Sequence, residues 1–181
     1  AVVSRSVSRQ RRAGMAALTF AASICGGNTA FAACDDLPPA AVSPGRLRSV
    51  TAKDLIELRD IGQPDAAMIV PESPLAVSPD GKSVALVLNR ADLSSNGYCR
   101  ALVVLDLARG ASPRVIDSGG EPIFVTGFSR GLVEHTGFPE LIVPAWSPDG
   151  EWVAYLRRDH GVTQVWRARR SGGRAVPISR S

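Results

Sequence analysis

The chain has 181 residues, 45% of them apolar and 21% charged, a balance that excludes a disordered chain and suits one globular domain or part of a larger one. Its formal charge is +4, yet Arg5, Arg9, Arg11 and Arg12 are the only charges in residues 1–32, so the other 17 of its 21 basic residues balance its 17 acidic ones. That neutrality beyond residue 32 argues against a nucleic-acid partner.

Residues 1–32 read as a signal peptide: a basic stretch SRQRR, an uncharged AGMAALTFAASICGG, then small residues with an A-x-A cleavage site at Ala30-Phe31-Ala32. The apolar run is short and rich in Ala and Gly, and no later window is apolar enough to span a bilayer, so no stable membrane span is expected. A buried N-terminal helix is the rival reading, and it must accommodate four arginines in front of it. The expectation is a periplasmic or otherwise exported protein. Cys25 would leave with the signal, which makes Cys34 and Cys99 the candidate disulfide pair in an oxidising compartment. Two alternatives stand beside it. FAAC, Phe31 to Cys34, is a lipoprotein box in which Phe31 occupies the place of the usual Leu, with Cys34 acylated; or both thiols are unpaired.

Residues 33–72 read as a linker and short helix. After LPPAAVSPG, Thr51 and Asp54 make a capping box, Leu55 and Leu58 recur at helical spacing, and Gly62 stands where a C-cap glycine belongs. These signals predict a helix over about 52–60 whose apolar stripe packs on the strands C-terminal to it.

Residues 73–181 repeat one plan. PLAVSPDGKSVALVLNR and VPAWSPDGEWVAYLRRD each give a short apolar strand, the turn SPDG and a longer strand. Pro79 and Pro148 preset the first corner, while Gly81 and Gly150 accept the left-handed conformation that closes the hairpin. Two more strands follow each, ALVVLDL and PRVID after the first, VTQVWRAR and RAVPIS after the second. Both faces of the long strands are apolar, which predicts that both are covered. The fold class expected is all-β: a partial β-propeller of two four-stranded antiparallel blades, about 73–118 and 141–179, with an insert at 119–140. A β-sandwich of similar strands is the alternative. A closed propeller takes four to eight blades, so a longer protein is expected, of which this chain is the N-terminal part.

The candidate chemistry is sparse. GFSRG, Gly127 to Gly131, fits the G-x-S-x-G pattern of a nucleophile elbow, and Ser129, Asp149 and His160 match a triad order on paper. An elbow needs a helix after the serine, however, and Gly137 and Pro139 would break one there; Asp149 already belongs to an SPDG turn. Ser129 is therefore read as part of the insert, and no catalytic residue is assigned. His135 and His160 read as loop histidines without a metal cluster. The run RARRSGGR, Arg167 to Arg174, lacks interleaved aromatics and reads as a solvated turn rather than a phosphate contact. No cofactor or metal is expected.

LRDIG, LAVSPDGKSVALVLNRAD with NGYC and LVVLDL, and WSPDGEWVAYLRRDHGVTQVWRA, covering roughly residues 50–179, resemble the N-terminal propeller of prolyl oligopeptidase family serine peptidases. Within that family they look most like the lasso peptide isopeptidases. The resemblance implies a propeller that gates access to a C-terminal α/β-hydrolase domain of the same protein, carrying a Ser/Asp/His triad. It also implies a peptide substrate, a lasso peptide whose ring-closing isopeptide bond is hydrolysed. None of the family's catalytic residues has a matching position here. Because SPDG turns occur in many exported propellers, a TolB-like periplasmic propeller that binds proteins or peptides is the alternative.

Overall fold

The computed structural model describes residues 34, 36–38, 45, 47–62 and 73–180. The signal-peptide reading and its cleavage site lie outside the described residues. Ten strands and one helix follow in chain order: α1 (Ala52–Ile56), β1 (Ala76–Val77), β2 (Ser83–Asp92), β3 (Gly97–Asp106), β4 (Arg114–Ser118), β5 (Phe124–Ser129), β6 (Leu132–Pro139), β7 (Ala145–Trp146), β8 (Trp152–Asp159), β9 (Val162–Arg169) and β10 (Val176–Pro177). β1 to β4 form one four-stranded antiparallel sheet and β7 to β10 another, each in sequence order, and β5 and β6 form a separate hairpin. The molecule is nearly all β, and its two four-stranded sheets are propeller blades.

The two SPDG turns are built alike. In the first, Ser78 Oγ donates to Asp80 Oδ1 at 2.5 Å, Asp80 Oδ1 accepts from the Lys82 amide at 3.0 Å, and Ser78 Oγ accepts from the Ser83 amide at 2.9 Å. In the second, Ser147 Oγ, Asp149 Oδ1, and the amides of Glu151 and Trp152 repeat those bonds at 2.5, 3.0 and 2.9 Å. Gly81 and Gly150 close the turns at φ +67° and +71°, where a side chain would be strained. These bonds hold the Asp80 carboxyl down to about 2, first through the Ser78 hydroxyl and then the Lys82 amide, and the Ser147 hydroxyl lowers Asp149 likewise. A carboxyl lowered by folding stabilises fully above its unfolded pKa of 3.8 and loses that contribution as pH falls through the folded value. Thermal unfolding is therefore expected to be level down to about pH 4 and to fall between there and about pH 2. A side-chain carboxyl titration of Asp80 with its midpoint near 4 would contradict this.

Strand alternation sets the core. Ala85, Val87, Leu102, Val104 and Ile116 of the first sheet face Val153, Tyr155 and Ala168 of the second, all nearly inaccessible. At the inner edge Trp146 Nε1 donates to the Ala76 carbonyl at 2.8 Å, tying β7 to β1. The opposite face of the first sheet, with Leu88, Cys99, Ala101 and Val103, is covered by the N-terminal strap of Cys34 and residues 36–38, whose Leu37 is fully buried. Burying a leucine is worth about 2 kcal/mol. Both faces of the first sheet are thus covered. The second sheet departs from expectation: on its outward face Leu156 is 38% exposed and Ala154 half-buried, and no described residue covers them.

Each sheet has the same device at its inner edge. β1 reaches only the first residues of β2, and farther along Asp60 pairs with Asn89 through bonds of 2.8 and 2.7 Å. Glu121 pairs with Arg158 at the equivalent place on β8. This pairing shortens the expected helix. The capping box at Thr51 and Asp54 forms, but α1 ends at Ile56 with Glu57 as C-cap, not at Gly62. The chain must become extended for Asp60 to join Asn89, and Arg59 is drawn to the carbonyls of Leu37 and Asp36 at 2.6 and 2.7 Å. Leu55 and Leu58, expected to pack, are 61% and 62% exposed.

Candidate functional site

The end of the sheets away from the SPDG turns gathers the strap, α1 and the β5–β6 hairpin. Cys34 and Cys99 are joined by a disulfide, S–S 2.11 Å and Cα–Cα 5.4 Å. Two further ties hold the strap. Arg90 binds the Asp36 carboxylate through both terminal nitrogens at 2.8 Å, and this pairing holds the Asp36 carboxyl below the ordinary range. Arg59 caps the carbonyls of Asp36 and Leu37. A planar guanidinium suits both tasks, because its fork matches a carboxylate and its donors fill free carbonyls.

Beside the strap runs a groove of about 450 Å³ lined by Leu55, Ile56, Leu58, Asn89, Tyr98 and Pro139, among others. Leu55, Ile56, Leu58 and Tyr98 are well exposed, from 40% for Tyr98 to 62% for Leu58, while Pro139 is half-buried. Tyr98 stacks edge-on against Phe124 of β5, ring centres 5.5 Å apart, which connects the groove to the hairpin. The hairpin exposes Leu132, Val133 and Phe138 as well. An exposed apolar groove beside a two-stranded sheet whose edges pair with no other described strand is chemically suited to an extended peptide, by side-chain burial and strand addition.

GFSRG crosses from β5 to β6 in a two-residue turn. Arg130 and Gly131 take φ +51° and +82°, Ser129 pairs with Leu132 across the ladder, and a strand follows where an elbow has a helix. Asp149 lies in the second SPDG turn, whereas His160 turns the far end of β8, a strand of eight residues and so about 25 Å away. The structure therefore does not bring those two together. His135 sits within β6, its backbone opposite Thr126, a strand position where a loop was expected. Among the described residues no group of His, Cys, Asp and Glu has metal-binding geometry, and no helix is long and apolar enough to cross a membrane.

The basic run is not simply solvated. Arg167 and Arg169 both lie over the Trp152 ring, 4.4 and 4.7 Å from its centre, and Arg170 reaches the first sheet. Stacking and ion pairing occupy the cations that a phosphate would need.

No family model matches the chain. Over 157 residues, 85% of its length, it is 37% identical to the lasso peptide isopeptidase AtxE2 of Asticcacaulis excentricus. The chain resembles a lasso peptide isopeptidase. It spans about a fifth of that protein, 21%. Two solved AtxE2 isopeptidase structures agree. The apo form matches with a TM-score of 0.62 and 34% identity, covering 73% of this chain and 20% of that one. A serine-to-alanine variant with Astexin3-dC4 bound matches with a TM-score of 0.60 and 38% identity, covering 71% and 20%. The all-β reading and the resemblance drawn from LRDIG, SPDG and the second-blade run are borne out together. The groove was missed because Leu55 and Leu58 carry the spacing of a buried stripe. Tyr98, a large side chain among the small residues of NGYC, was the available signal.

Proposed function

We propose that this chain is the N-terminal propeller part of an exported, periplasmic serine isopeptidase, in which it gates the access of a lasso peptide to a hydrolase domain elsewhere in the same protein. The observation that carries the reading is the 37% identity to AtxE2 over 157 residues; a variant of that protein has been seen with Astexin3-dC4 bound. The exposed groove beside Tyr98 and the hairpin at Leu132–Phe138 supply a surface on which a peptide would rest. On this reading catalysis belongs to residues outside this chain, and the hairpin turn that GFSRG forms in place of an elbow supports it.

The test uses the native gene product. A fluorophosphonate probe, which labels activated serines, is expected to leave the 181-residue chain unmodified and to label the complete native protein at a serine other than Ser129. The complete protein is expected to convert a threaded peptide to its linear form, and its mature N-terminus to fall at or near Ala33. Labelling at Ser129, lost in Ser129→Ala, would overturn the assignment. Peptide binding without any labelled serine would point instead to a TolB-like binding propeller, and a diacylglycerol on Cys34 to a lipoprotein.

A further inference from the structure

The seam between the two sheets is apolar at its centre and charged at both ends, and the charges are distributed unequally. At the far end Asp117 of the first sheet accepts from Arg157 of the second at 2.6 Å and from the Tyr155 hydroxyl. Arg157 also binds Asp159 at 2.9 Å and lies over the Trp166 ring. Arg100, 2% exposed, donates across the seam to the Leu156 carbonyl. At the SPDG end Arg170 of the second sheet donates to Ser83 Oγ at 2.5 Å and reaches Asp80 and Asp106, both at 3.4 Å. In the ion pairs that cross the seam, at both ends, the first sheet supplies the carboxylates and the second the guanidiniums, while Asp159 and Arg114 add pairs within their own sheets.

The repeat makes this asymmetry informative. Counting along matched strands, Arg157 corresponds to Leu88, which lies beneath the strap. The ladder pair Ser83 and Asp106, where Arg170 lands, corresponds to Trp152 and Arg169. A second-sheet unit stacked on another second sheet would bring Arg170 against Arg169 instead of Asp106. Small aliphatic faces do not discriminate in this way: Ala, Val and Leu cores tolerate rearranged packing, and repeated units misassemble for that reason. Ion pairs inside a seam recover little net stability after desolvation, but they penalise a wrong neighbour that leaves them unpaired or faces them with like charge.

We propose that Asp117, Tyr155, Arg157 and Arg170 specify which sheet stacks on which, leaving cohesion to the apolar centre. The test refolds the whole chain from denaturant and counts indole N–H resonances. Three tryptophans, two of them packed at the seam, give three resonances for one stacking order. The variant Asp117→Leu/Tyr155→Phe/Arg157→Met is expected to keep or raise the melting temperature while showing more than three resonances and at least a threefold lower yield of correctly stacked monomer. Three sharp resonances at native yield would overturn the proposal, and so would loss of cooperative unfolding, which would make the network the adhesive. Arg170→Leu, which gives the second sheet the residue standing at Leu107 in the first, removes no residue of the buried cluster and takes one cation from over the Trp146 ring. It is expected to lower the same yield at least threefold, and an unchanged yield overturns the role of that end of the seam.

Discussion

Replacing Cys34 with serine and Cys99 with alanine is expected to lower the stability of the protein by about 4 kcal/mol. The disulfide joins residues 65 apart, and a cross-link of that span removes much of the freedom of the unfolded chain. Native-state losses add to this, because Leu37 is buried only while the strap stays in place. Urea unfolding of the oxidised protein and the variant would measure the difference. A loss below about 1 kcal/mol would mean that Arg90 with Asp36, and Arg59 with the strap carbonyls, hold the strap without the bond.

Gly62→Ala is expected to cost about 2 kcal/mol or more. Gly62 has φ +91°, and an added Cβ would lie 2.6 Å from the Glu140 carbonyl oxygen and 2.7 Å from the Leu141 Cα, both backbone. Neither can swing aside as a side-chain tip would, so the contact between the α1 segment and the end of the hairpin must open. Amide exchange should therefore quicken at Asp60 and Asn89, which bond each other, before the core responds. Unchanged protection at those two amides would show that the hairpin moves freely enough to absorb a methyl group.

Gly62 also marks the boundary between local and nonlocal signals. Turn chemistry is local, so SPDG announced both hairpins, and strict alternation in SVALVLNRAD and WVAYLRRD announced which side chains share a face. The cap at Thr51 and Asp54 is equally local, and it forms. Gly62 has the look of a helix terminator because nothing nearby in sequence indicates that Glu140 passes over it. The pairing of Asp60 with Asn89, which unwinds the helix and exposes Leu55 and Leu58, is likewise nonlocal. That pairing creates one wall of the groove, so the candidate site was the least legible part. Arg100 was a signal left unused: it shares the inward face of β3 with Leu102 and Val104, and a guanidinium in that row requires a partner from across the seam.

The strap gives the pair of sheets a direction. One side of the first sheet is sealed by its own upstream residues, whereas the outward side of the second still shows Leu156 and a tryptophan stacked by two arginines. Growth of such a stack is vectorial: a further layer finds bare strands at one terminus, and at the other, among the described residues, the strap that already covers them, with the Asp36 carboxylate at its surface. Any sheet arriving there to complete a circle would seat on a polar gasket instead of interdigitating with β2 and β3, and that joint would be the one most easily parted.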